Sequence, residues 1–223
     1  MPGAGVALAA LLGVGAAQAE LQDRGNGLIY DTVRNITWLQ DANYAATSGY
    51  AAANAGADIN ANGQMSWDAA VAWAEQLEFA GFDGWRLPTV LQPDPTCSMQ
   101  GGLLISFGSG CTGGEMTHLF NVEGIFLNNP GPFINVDAPA GFWWTGTLVP
   151  GTTTFAYWNG FQFGQGNQDA LATSIQLLAW AVHDGDIGAA AEPEPARVPL
   201  PLWALAALVM VLIAARRVLR ARR

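Results

Sequence analysis

Phe142-Trp143-Trp144-Thr145-Gly146-Thr147-Leu148, then Phe155-Ala156-Tyr157-Trp158-Asn159-Gly160-Phe161-Gln162-Phe163, is the stretch that sets the fold class. Aromatic and β-branched residues dominate it, which is the composition of strands. Asn159-Gly160 lies between two apolar runs and predicts a hairpin turn joining Phe155–Trp158 to Phe161–Phe163. Upstream, Leu28-Ile29-Tyr30 and Ile36-Thr37-Trp38-Leu39 read as two short strands joined by a turn, and Leu177 to Val182 as a last strand before Asp184-Gly185. One helix stands out: Ser66 is its N-cap, and Trp67, Ala70, Val71, Ala74 and Leu77 recur at helical spacing to about Phe79. Between Asp41 and Gln64 the sequence reads as a polar Ala/Gly/Asn-rich loop. The class is α+β: mostly antiparallel short strands, one or two helices and long loops.

Composition narrows the function. At 51% hydrophobic and 12% charged, the 223-residue chain is too apolar to be disordered. It contains no lysine, which removes phosphate-loop NTPase, Schiff-base and pyridoxal chemistry. The net charge of −9 conceals a division. All 18 acidic residues lie between Glu20 and Glu194, where the only bases are Arg24, Arg34 and Arg86, so the body 20–196 carries −15. Such a surface repels phosphate backbones and excludes nucleic acid as a partner; sulfated polysaccharides are disfavoured for the same reason.

Both ends read as targeting segments. Residues 1–19 are small and apolar and end in Ala17-Gln18-Ala19, a signal peptide cleaved before Glu20. Residues 189–197 form an acidic, proline-rich spacer (Glu192-Pro193-Glu194-Pro195). Residues 198–223 follow, an uncharged run from Val198 to Ala215 and then Arg216, Arg217, Arg220, Arg222 and Arg223. As a helix the run spans about 27 Å, enough for a bilayer, with the arginines on the cytoplasmic side. Its order, with Val198-Pro199-Leu200-Pro201, resembles the C-terminal sorting signals of the PEP-CTERM type. That resemblance implies a bacterial envelope location and an exosortase-like processing partner.

The body carries a second resemblance. Asp23-Arg24-Gly25-Asn26-Gly27-Leu28-Ile29-Tyr30-Asp31 and Thr37-Trp38-Leu39-Gln40-Asp41-Ala42-Asn43-Tyr44 open it. Met65-Ser66-Trp67-Asp68-Ala69-Ala70, Gly81-Phe82-Asp83-Gly84-Trp85-Arg86-Leu87-Pro88-Thr89 and Ala179-Trp180-Ala181-Val182 follow in order. Together they resemble the Lcl C-terminal domain family across residues 20–188. The resemblance implies a C-type-lectin-like fold, a scaffold shared with formylglycine-generating enzymes, and an extracellular adhesive or carbohydrate-binding role. The family's named member is associated with sulfated polysaccharides, and the −15 body departs from that pattern.

Candidate sites are few. No nucleophile-elbow or His-Glu-x-x-His motif is present, and no catalytic residue is assigned. His118 reads as a structural histidine at a loop-to-helix junction in preference to a base or metal ligand; His183 is the other histidine. Arg86 is expected to pair with a carboxylate. Cys97 and Cys111 share a Gly/Ser/Thr-rich loop and form a disulfide in an oxidising compartment, contributing roughly 3 kcal/mol on the chain-entropy model. The alternative, a formylglycine-generating oxidase, needs them as thiols. Trp143, Trp144, Trp158 and Asn159 are candidate ligand contacts, since sugar rings stack on exposed indole faces; the competing reading is core packing. Trp143 and Trp144 are adjacent and point to opposite sheet faces, which leaves room for at least one of them outside the core. Gln92-Pro93-Asp94 copies a sugar-selecting triplet of calcium-dependent lectins, which we read as coincidence. Asp58-Ile59-Asn60-Ala61-Asn62-Gly63 begins like an EF-hand loop, with Asp58, Asn60, Asn62 and Asp68 as candidate calcium ligands of weak affinity, about 10⁻⁴ M. The body therefore reads as a binding module for an extracellular glycan or matrix component, with a structural matrix protein as a further alternative.

Overall fold

Branched and aromatic residues in its second and third strands, around two tight turns, give the chain its opening meander. β1 (Leu21–Gly25), β2 (Leu28–Asp31) and β3 (Ile36–Leu39) pair antiparallel in sequence order. The computed structural model describes residues 21–101, 105–138, 141–161 and 166–188. The expected signal peptide, spacer and C-terminal sorting segment therefore lie outside the described residues. Among those described, no helix is long and apolar enough to cross a membrane.

Two one-turn helices, α1 (Tyr44–Thr47) and α2 (Tyr50–Ala53), occupy the stretch expected to be loop. Asp41 holds the first of them: its carboxylate accepts from Asn43 N, Thr47 Oγ1 and Asn135 Nδ2 at 2.6–2.9 Å. After β4 (Gln64–Met65) comes α3 (Trp67–Glu75), beginning after Ser66 as predicted but ending a turn earlier. β5 (Met99–Gly101) and β6 (Ile105–Phe107) form a small hairpin, and α4 (Glu115–Asn121) follows. His118 thus sits inside a helix and not at its junction.

The second sheet has the order β4-β10-β7-β8-β9, with β7 (Phe142–Leu148), β8 (Phe155–Gly160), β9 (Asn167–Ala172) and β10 (Leu177–Leu178). All its pairings are antiparallel except β10 with β7. The predicted last strand divides. Leu177–Leu178 joins this sheet, whereas β11 (Val182–Asp184) pairs with β3 and closes the first one. The result is a mixed α and β architecture, mostly antiparallel, with four short helices among the described residues.

Asn159-Gly160 is not a turn. Both residues belong to β8, where Asn159 pairs with Trp143 on one side and Gln168 on the other. Glycine is needed there for space: a Cβ on Gly160 would lie 2.8 Å from the Phe142 ring and 3.0 Å from that of Trp158. Tertiary pairing on both edges overrides a dipeptide preference that is only local. Of the predicted partner strand, Phe161 is described and donates its N–H to Gly141 O.

The core lies where the two sheets meet. Trp180, between β10 and β11, is its hub, with ring centroids 5.0 Å from Trp38, 4.9 Å from Phe133 and 6.0 Å from Trp143. Edge-to-face geometry dominates these contacts, as the ring quadrupoles favour.

Candidate functional site

The strand tryptophans are core. Trp143 and Trp144 point to opposite faces of β7, yet both are completely buried. Each face is covered: Trp143 Nε1 donates to Ala42 O at 2.8 Å on one side, and Trp144 Nε1 to Met65 O at 2.9 Å on the other. Enclosed on both sides at Trp143–Thr145, β7 leaves no face of either indole for a sugar, which corrects the reading of Trp143 and Trp144 as ligand contacts. Trp158 is half-buried against Phe142, centroids 4.7 Å apart. Asn159 is buried with neither side-chain amide atom hydrogen-bonded.

Other sequence candidates are held by structural bonds. Arg86 forks onto Glu115 at 2.7 and 2.8 Å and reaches Asp184 at 2.6 Å, while Glu115 also accepts from Thr89 N. Burial alone would lower the Arg86 pKa; the hydrogen bonds to Glu115 and Asp184 outweigh it and raise it. This fork ties the Trp85-Arg86-Leu87 segment to α4 and β11. His183 sits beside Trp85, ring centroids 5.6 Å apart. Cys97 and Cys111 are joined in a disulfide and buried. Gln92 and Asp94 brace that loop. Gln92 exchanges two hydrogen bonds with the Ser106 backbone, and Asp94 accepts from Thr96 N, Thr96 Oγ1 and Gly113 N.

The EF-hand-like stretch closes as a plain turn. Asn60 Oδ1 accepts from Asn62 N at 3.0 Å and Gln64 N at 3.2 Å, which takes up both its lone pairs. Asn62 is exposed and gives its carbonyl to Asn43 Nδ2. Asp58 and Asp68 are both exposed, the latter in the first turn of α3. Gly63, at φ +91°, is the residue that lets this turn lie against Asn43 and Ala46.

A surface groove of about 410 Å³ opens where α1 and α2 meet the end of α3. Tyr44 and Tyr50 are half-buried in its wall and Trp73 lies beneath, while Ser48, Asn54, Gln76 and Glu78 form an exposed polar rim. Tyr44 is fixed by edge contact with Phe79, centroids 4.9 Å apart, and Tyr50 by a 2.8 Å hydrogen bond from Gln76 Nε2 to its hydroxyl. Among the described residues, no basic side chain lines it. Sequence reasoning missed this site because one-turn helices carry no periodicity. The available signal was the pair of Tyr-Ala-Ala runs, at Tyr44 and at Tyr50, since alanine favours helix.

A second constellation is internal. Asp31, at the end of β2, meets His118 of α4 and Glu123 just beyond it, one ligand atom from each lying within 4.8 Å of the others. His118 Nε2 is 3.1 Å from Glu123 Oε1. Burial lowers the His118 pKa, with Arg34 adding to the effect, and burial raises that of Glu123, with Asp31 adding. Desolvation is the largest cause of both shifts, and on His118 it outweighs the attraction of Asp31. Comparison of the chain with protein-family models, with curated proteins and with solved structures finds no match.

Proposed function

We propose that the chain is a secreted, envelope-anchored binding module with a C-type-lectin-like scaffold of the Lcl C-terminal-domain kind, and that its ligand is a neutral glycan. The observation that carries this reading is the Tyr44–Tyr50 groove. Two fixed phenol rings offer apolar faces to sugar C–H groups, and the amides of Asn54 and Gln76 with the Glu78 carboxylate suit hydroxyls. A base-free groove in a body of charge −15 favours neutral over sulfated or uronic sugars.

Several features support the rest of the reading. Pairing of β11 with β3 brings the last described strand back to the opening meander, which is compatible with a C-type-lectin-like scaffold. The disulfide suits an oxidising compartment and favours a binder over an oxidase that uses both sulfurs as thiols. The tail is read as a sorting signal removed by an exosortase-like enzyme. Intact-mass analysis of protein from its native envelope should lack the arginine cluster, and Arg223 retained in most molecules would leave a simple membrane anchor.

The binding claim is tested by a glycan array probed with the full chain in detergent, with and without calcium, beside Tyr50→Ala and Trp158→Ala. Neutral glycans should be captured by the wild type and by Trp158→Ala but not by Tyr50→Ala. A blank array from folded protein overturns glycan binding and favours a matrix role.

A further inference from the structure

Asp31 has no exposed surface, and its two carboxylate oxygens are treated differently. Oδ1 accepts from Val33 N at 3.0 Å and Arg34 N at 2.9 Å, closing the turn after β2. Oδ2 is buried without a hydrogen-bond partner. A buried carboxylate oxygen left unpaired costs free energy that a fold does not ordinarily leave uncompensated. Arg34 does not serve it, although its Nε is also buried without a hydrogen-bond partner. Arg34 spends its Nη groups on the carbonyls of Thr112 and Gly113, and among the described residues Asp31 forms no ion pair.

What faces Asp31 is a pair of metal-ligating side chains. His118 is buried and Glu123 half-buried, with 7% and 8% of their side chains exposed. From these positions we infer a divalent metal site, with zinc as its ion and Asp31, His118 and Glu123 as its protein ligands. Zinc takes imidazole nitrogen and carboxylate oxygen at about 2.0–2.2 Å, which sets tetrahedral ligands about 3.3 Å apart. The three ligand atoms lie within 4.8 Å of one another, so side-chain rotations of about an ångström close the set. Two carboxylates and a neutral imidazole balance the charge of one dication, and water completes the fourth position. The hydrogen bonds on Asp31 Oδ1 are the outer contacts that hold such a ligand in orientation. The other cluster with ligand spacing, Asp94 with Cys97 and Cys111, is closed to metal because its sulfurs are bonded to each other. Bound zinc would pin the first meander to α4 and leave one coordination position to water.

The test is metal titration of the full chain in detergent after chelator treatment, read by calorimetry, by elemental analysis after gel filtration and by thermal unfolding. One zinc per chain is expected, and zinc at a hundredfold excess over Kd should raise Tm by roughly 5–10 °C. His118→Gln and Glu123→Gln should each weaken binding by more than about a hundredfold and abolish the Tm shift. His183→Gln, which alters the other histidine, should change neither. Near-ultraviolet circular dichroism of the buried tryptophans reports whether each variant is folded. No zinc uptake by folded wild type overturns the proposal. So does uptake that survives in both folded ligand variants, and so does a site that takes calcium or manganese and refuses zinc.

Discussion

The cluster around Trp180 and the groove around Tyr50 are both rich in aromatic side chains, and they use them in opposite ways. In the cluster, Trp38, Trp143 and Trp180 lie between two sheets, fully enclosed, with Trp143 and Trp180 each donating an indole N–H to a backbone carbonyl. In the groove, two tyrosines on one-turn helices are held at the surface with part of each ring open. The difference comes from the element that carries them. The stretch of β7 that carries Trp143 and Trp144 is covered on both faces and buries both indoles, while a short helix at the edge of the core can turn one side of a ring outward. Aromatic content alone therefore says nothing about where a ligand binds.

Substitutions should separate the two regions sharply. Trp180→Ala is expected to cost about 3–5 kcal/mol, read as a lowered urea midpoint, because it empties the hub of the core. Glu115→Gln should cost about 1.5–3 kcal/mol by weakening the charge-assisted fork on Arg86. Gly160→Ala should cost about 1–3 kcal/mol, since its Cβ meets the rings of Phe142 and Trp158. Hydrogen exchange at residues 159 and 160 provides a separate check: amides in a central strand are protected, whereas those of a hairpin tip exchange freely. Tyr50→Ala should have the smallest effect on stability, under about 1 kcal/mol, since the ring is only half-buried and gives up one surface hydrogen bond. Its effect on glycan capture should nevertheless be the largest of the four among folded variants.

What could be read from the sequence follows the range of the forces involved. β2, β3 and β7 were legible because short runs of aromatic and branched residues favour strand, and the start of α3 because apolar residues recur at helical spacing after Ser66. Asn159-Gly160 misled because its signal is local, while its conformation is set by pairing to β7 and β9. Trp143 and Trp144 were correctly read as facing opposite ways; that both sides are covered depends on Ala42 and Met65, which nothing near them in sequence announces. Asp31, His118 and Glu123 come together only when the first meander packs against α4, so no spacing rule finds them.

The most direct measurement is a chemical-shift titration of the isotope-labelled chain with a neutral oligosaccharide captured on the array. The groove reading predicts that perturbed amides and side-chain signals concentrate at Tyr44, Tyr50, Asn54, Gln76 and Glu78, with the indole signals of Trp143 and Trp144 unmoved. Perturbations centred on Trp158 and Phe142, with the groove silent, would contradict it.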